Sequence, residues 1–213
     1  MDFIPSELQA YAESHTELEP KLLEQLTKET WQKVLQPRML SGHFQGRLLS
    51  LISKLIQPTS ILEIGTYTGY SALSLAEGLS KEGKIHTIDR NEELYDLQRK
   101  YFDISGFGPQ IIQYTGDARG IIPKMNMQFD LIFMDADKKS YPTYFELIID
   151  KLKPGGLLLS DNVLWSGKVI ETLHPKDEDT RALLAYNKVL KDDPRLETVL
   201  LPVRDGLTLS RKR

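Results

Sequence analysis

Asp135, Asp137 and Lys138 close the stretch Phe129-Asp-Leu-Ile-Phe-Met-Asp-Ala-Asp-Lys138, directly after a short apolar run. A run of that length reads as a strand buried on both faces of a parallel sheet. Taking a lone charge out of water costs several kcal/mol or more, so these three groups must face water, a cation or a ligand. In open parallel sheets the place for that is the mouth beyond the carboxyl ends of the strands. Four more acidic residues follow apolar runs elsewhere: Glu63, Asp89, Asp117 and Asp161. With Asp135 they are expected to form one electronegative rim. Beside it, Glu63-Ile-Gly-Thr-Tyr-Thr-Gly-Tyr-Ser71 carries Gly65 and Gly69 at a spacing that allows a tight turn and close approach of a ligand to the backbone. Asp89 is placed to accept the two hydroxyls of a ribose. The spacing is Gly-x-x-x-Gly rather than Gly-x-Gly-x-x-Gly, and Glu63 next to the loop suits a cationic ligand better than a pyrophosphate. S-adenosylmethionine, with an ammonium, a sulfonium and a ribose, meets those conditions.

The elements that must hold these residues alternate. Strands are expected at Ile61–Ile64, Lys84–Ile88, Gln110–Tyr114, Phe129–Met134 and Gly156–Leu159, with helices near 70–80, 92–105, 117–124 and 141–152. That pattern means a parallel sheet with helices on both faces. A further helix near 178–191 precedes Leu196–Val203 and Leu207–Ser210, and Asp205-Gly206 between them predicts a tight type I′ hairpin. Residues 5–57 read as a helical cap, with an amphipathic face over Glu19–Leu35 that ends at Gln36-Pro37, and with Met39–Gly46 as a loop. This cap is either a cover for the sheet or a lid and substrate wall. The 213 residues fit one domain, about 1–57 as the cap and 60–213 as the α/β core.

Composition narrows the field. A net charge of -3 gives no global reason to expect a nucleic-acid-coating surface, and basic Arg211-Lys212-Arg213 reads as a solvated tail. The absence of cysteine excludes disulfides, thiolate metal sites and cysteine nucleophiles. No membrane-length apolar run and no basic-then-apolar leader is present, so a cytoplasmic enzyme or binding protein is expected.

Four ordered motifs make the reading specific: Met39-Leu-Ser-Gly-His-Phe-Gln-Gly46, Ile61-Leu-Glu-Ile-Gly-Thr-Tyr-Thr-Gly-Tyr-Ser71, Phe129 to Lys138, and Pro154-Gly-Gly-Leu-Leu-Leu-Ser-Asp-Asn-Val-Leu-Trp-Ser-Gly167. Together they resemble the cation-dependent O-methyltransferases, the family of the catechol and caffeoyl-coenzyme A enzymes and many small bacterial members. The resemblance runs from about Met39 to the terminal hairpin. It implies a Rossmann-like methyltransferase fold, a mostly parallel seven-stranded sheet with helices on both faces and a C-terminal antiparallel pair. It implies that Met39, Ser41, Glu63, Gly65, Ser71, Asp89, Ala118 and Asp135 line an S-adenosylmethionine site, with Asp89 standing where some members have Glu. A homodimer is also expected from it. So is an acceptor hydroxyl on a catechol-like or other hydroxylated aromatic molecule, or, as in some bacterial relatives, on 5-hydroxyuridine in tRNA.

Asp135, Asp161 and Asn162 are then the candidate metal ligands. They are hard oxygen donors, suited to Mg2+, Mn2+ or Ca2+. The plainer account of Asp161-Asn162 is a turn after a strand. Lys138 is the candidate base, because a neighbouring dication disfavours its ammonium form; alternatively it steers an oxyanion as a fixed charge. His43 is a weaker base candidate, Lys139 reads as a surface charge, and Trp165 and Tyr141 either wall an aromatic acceptor, belong to the core or make an oligomer contact. Two other classes compete: a nicotinamide-dependent dehydrogenase, which the alternating pattern favours and the glycine spacing disfavours, and a non-catalytic cofactor-binding module.

Overall fold

The computed structural model describes residues 4–213. Three helices come first: α1 (Ser6–Ser14), α2 (Lys21–Lys33) and α3 (Gly42–Ile56). The alternating region then runs β1 (Ser60–Ile64), α4 (Tyr70–Ala76), β2 (Lys84–Asp89), α5 (Tyr95–Ile104), β3 (Ile111–Thr115), α6 (Ala118–Ile121), β4 (Phe129–Met134), α7 (Tyr141–Ile148) and β5 (Leu152–Asp161). It closes with α8 (Glu178–Asp192), β6 (Leu196–Leu201) and β7 (Leu207–Lys212). The seven strands form one sheet in the order β3-β2-β1-β4-β5-β7-β6. β1 to β5 pair in parallel, and β7 pairs antiparallel with both β5 and β6. The expected α/β architecture is therefore what the chain adopts, with β7 inserted between β5 and β6.

The two faces of the sheet divide the apolar residues by their alternation along each strand. Leu62, Ile64, Ile132, Met134 and Leu158 face α7 and α8, whose Tyr141, Phe145, Leu183 and Tyr186 are buried against them. Ile61, Ile85, Leu131, Phe133 and Leu159 face the other way, onto Leu23 and Leu26 of α2, Leu49 of α3, and Tyr101 and Phe102 of α5. Helix α1 adds nothing to either core, since none of its residues is buried.

Two local expectations give way. Met39–Gly46, read as a loop, is largely helical: a 3-10 turn spans Pro37–Met39 and α3 begins at Gly42. Gly46 serves packing rather than a turn, because a Cβ there would stand 2.4 Å from Tyr70 Cε1. The hairpin is not a two-residue turn either, since five residues (202–206) connect β6 and β7. Asp205 and Gly206 are occupied elsewhere. The Asp205 carbonyl accepts the Leu164 N–H at 2.9 Å and its carboxylate accepts the Ser166 N–H, while a Cβ on Gly206 would lie 2.5 Å from Leu164 Cγ. Contact with the loop after β5 overrides the local turn preference.

Candidate active site

The strand order reverses direction of growth between β1 and β4, which marks the crevice where ligands bind in such sheets. Register brings the site residues to that point. Ile64 pairs with Met134, so Gly65 and Asp135 are neighbours, and Met134 pairs with Ser160, so Asp135 and Asp161 emerge side by side. The Gly65–Asp135 approach is close. Gly65 has φ +99°, and a Cβ on it would fall 1.9 Å from the Asp135 carbonyl oxygen. Gly69, at φ +92°, similarly leaves room for the Phe102 ring, 2.6 Å from where its Cβ would be.

The five acidic residues do not form one rim. Glu63 is fully buried; Thr87 donates to its Oε2, and its Oε1 is buried without a partner. Burial pushes its carboxyl up to about 8, with the charges of Asp135 and Asp89 adding to the effect and the Ser71 and Thr87 hydroxyls opposing it. Asp117 leaves the set altogether. It caps α6, accepting the Arg119 N–H at 2.9 Å, and pairs with the Arg119 guanidinium at 2.5 Å. Asp89 is engaged by backbone: its Oδ2 accepts the N–H groups of Thr66 (3.0 Å) and Tyr67 (2.7 Å), and its Oδ1 that of Asn91 (2.8 Å). The carboxylate expected to take ribose hydroxyls thus also ties down the glycine loop, and each oxygen retains acceptor capacity beyond those bonds.

Asp161 is buried and Asp135 is about one quarter exposed. Burial, and then the charge of Asp135, push the Asp161 carboxyl up to about 6, while Gln45, Lys138 and Arg204 counter that shift. Asp161 Oδ1 accepts the Asn162 N–H at 2.8 Å and Oδ2 accepts Gln45 Nε2 at 2.7 Å. Asn162 adopts φ +58°, a left-handed conformation that asparagine tolerates better than most residues. Trp165 and Ser166, at φ +49° and +53°, continue that strained path past the site. Among the described residues no group of three or more His, Asp or Glu side chains converges on a metal position, so the candidate set stays two carboxylates and an amide. Its chemistry fits a hard divalent cation. Two like charges meet at one partly desolvated place, and a cation held by them would keep about half its positions for water and substrate oxygens.

Lys138 lies over this pair, 6% exposed. Its ammonium donates to Asp135 Oδ1 at 2.9 Å and to the Tyr141 hydroxyl at 2.8 Å. The Tyr141 hydroxyl in turn donates toward the carbonyls of Asp161 (2.9 Å) and Met134 (3.2 Å), bridging the ends of β4 and β5. Tyr141 is fully buried, so it is a strand clamp and not a substrate wall. His43 points away, with its Nε2 2.7 Å from the Glu17 carbonyl, and Lys139 is an exposed charge 3.7 Å from Glu178. Ser41 precedes α3, Ser71 is buried in α4 beside Glu63, and Ala118 opens α6. Met39 is 58% exposed, a large apolar side chain left in solvent. Sequence reasoning missed Thr87, Gln45 and Arg204. Gln45 lies within Met39–Gly46, which reads as loop and so hides a helical side chain aimed at β5; Arg204 carries no signal in the sequence.

An open sheet carrying a glycine loop and a carboxylate cluster at its switch point defines a nucleotide-cofactor enzyme of the Rossmann-like class. Comparison narrows the class: residues 12–213 match the family model described as O-methyltransferase, and the chain belongs to that S-adenosylmethionine-dependent enzyme family. The dehydrogenase and non-catalytic alternatives are thereby set aside. Caffeoyl-CoA O-methyltransferase of Petroselinum crispum is 36% identical, over 91% of this chain and 85% of that one. The Pinus taeda enzyme of the same name is 37% identical over 82% and 71%. Among solved structures, SAH-bound methyltransferase PaMTH1 of Podospora anserina superposes with a TM-score of 0.89 at 30% identity, covering 99% of this chain and 97% of that one. The O-methyltransferase TomG of Streptomyces achromogenes, involved in tomaymycin synthesis and in complex with SAM, gives 0.89 at 26% identity, covering 97% and 96%.

Proposed function

We propose that the chain transfers the methyl group of S-adenosylmethionine to a hydroxyl of a catechol-like or other hydroxylated aromatic acceptor, with a hard divalent cation held by Asp135, Asp161 and Asn162. The observation that carries this reading is the emergence of the Asp135 and Asp161 carboxylates side by side, next to the Gly65 turn. Met39, Ser41, Glu63, Gly65, Ser71, Asp89, Ala118 and Asp135 would line the cofactor site. The buried Oε1 of Glu63, which has no hydrogen-bond partner, supports that assignment, because a cationic ligand beside it would favour the ionised form of the buried carboxyl. When bound, the divalent cation would acidify the acceptor hydroxyl and fix its position. The chain's own residues do the rest. Asp89 holds the glycine loop in shape, and Tyr141 keeps the ends of β4 and β5 together. Lys138 accepts the hydroxyl proton as a neutral amine, for which its ammonium must first give up a proton to solvent and leave Asp135 Oδ1. The names of the caffeoyl-CoA relatives support a phenolic acceptor.

The test is methyl transfer from labelled S-adenosylmethionine to catechols and caffeoyl esters after metal stripping. Activity should vanish in excess chelator and return with Mg2+ or Mn2+. Full turnover by the metal-free enzyme would overturn the cation reading.

A further inference from the structure

We infer that Gln45 and Arg204 form a positioning relay that fixes the orientation of the Asp161 carboxylate, so that the β6–β7 connection serves the metal site without touching it. The inference rests on the cation site proposed above. Gln45 is 4% exposed on α3, and its two amide ends are both committed. Nε2 donates to Asp161 Oδ2 at 2.7 Å, and Oε1 accepts from Arg204 Nη1 at 2.6 Å. Arg204 itself sits in the 202–206 connection with φ +49°, and its Nη2 also reaches the Leu40 carbonyl at 3.4 Å.

The direction of this chain is set by chemistry. A guanidinium only donates and a carboxylate only accepts, whereas a primary amide can turn either end toward either partner. With Arg204 present, the amide oxygen must face it and the N–H must face Asp161. Without Arg204 the carboxylate alone still selects the N–H, but the amide oxygen loses the partner that holds the side chain in place. The Asn162 N–H fastens the other oxygen of Asp161, so both oxygens are held while each keeps a lone pair for a ligand. Partners of this kind, behind a metal ligand, typically contribute about 10- to 100-fold to metal affinity. The relay also reaches the Met39–Ser41 segment through the Leu40 carbonyl, which joins the cofactor side to the metal side.

The experiment measures Mn2+ binding to the full chain by loss of the free-ion electron paramagnetic resonance signal. It compares wild type, Asp161→Asn, Gln45→Met, Arg204→Met and the double variant Gln45→Met/Arg204→Met, each checked for folding by circular dichroism. Methionine roughly keeps the length of glutamine without its hydrogen bonds. Gln45→Met should weaken Mn2+ binding about 10- to 100-fold. Arg204→Met should weaken it in the same direction, and the double variant should lose no more than Gln45→Met, because members of one chain are not additive. Unchanged affinity in Gln45→Met, or additive losses, overturns the relay. Arg204 is exposed, so Arg204→Met carries the test alone if Gln45→Met misfolds, and unchanged affinity there overturns it too. Loss of Mn2+ binding in Asp161→Asn with wild-type affinity in the Gln45→Met and Arg204→Met variants sinks the relay but keeps the cation site; wild type that binds none sinks both.

Discussion

Glu63 carries a proton that ordinary carboxylates would have lost. Its folded value of about 8 against an ordinary 4.5 means that, between those limits, the folded chain binds a proton the unfolded chain releases. Stability from this group is therefore fully present below 4.5 and declines as pH rises through 8. Glu63→Gln should flatten that decline in the cofactor-free protein and raise its melting temperature on the alkaline side. The same variant should lose cofactor affinity, because a neutral amide cannot balance a cation. Melting curves across pH and calorimetry with S-adenosylmethionine read both, and an undiminished alkaline decline in the variant would assign the titration elsewhere. Lys138 calls for a different comparison. A general base typically contributes about 10²- to 10⁴-fold, so Lys138→Ala should depress turnover strongly while cofactor affinity stays near wild type. Lys138→Arg should not restore it, since a guanidinium keeps its proton. Near wild-type turnover in Lys138→Arg would leave the side chain as a fixed charge on Asp135. At this scale the sequence revealed residue types better than environments. Glu63 and Asp117 follow apolar runs just as Asp135 does, yet one is sealed inside and the other turns outward to cap a helix. What separates them is which neighbour lies across the sheet, and that is set by pairings distant in the chain.

The junction of β1 with β4 is the most constrained element contact. Gly65→Ala places a methyl 1.9 Å from the Asp135 carbonyl oxygen at a backbone angle of +99°, so strand ends must separate or the turn must rebuild. A loss of about 2 kcal/mol or more is expected in denaturant unfolding. Cofactor binding should fall with it, and a variant as stable as wild type would mean the junction is looser than its geometry. Strands and helices were legible because their apolar spacing is strong: β4 was read to the residue, and β1, β2 and β3 to within one. β5 was not. It starts at Leu152, through Pro154 and the left-handed Gly155, with a register shift against β4 that breaks the alternation a reader follows. The Met39–Gly46 helix was missed for the opposite reason, since glycine usually signals a turn, while Gly46 here admits the Tyr70 ring.

Across the whole molecule, the two ends of the sequence carry unequal weight. Helix α1 buries no residue, whereas β7 lies inside the sheet with strands on both sides. A variant starting at Thr16 should melt close to the full chain, and one ending at Gly206 should fail to fold; a folded, cofactor-binding product lacking β7 would contradict this reading of the sheet. Strand insertion has a second consequence, which concerns time. A ribosome delivers β1 to β5 first, and with them Glu63, Gly65, Asp135 and Asp161. The free edge of β5 must then wait, unpaired, through α8 and β6 until β7 emerges to cover it. An open edge next to an apolar face is a template for pairing with another chain, so nascent or prematurely terminated forms should be the aggregation-prone species. Arg204 arrives in the same late segment, so the last piece to dock both closes that edge and completes the surroundings of Asp161.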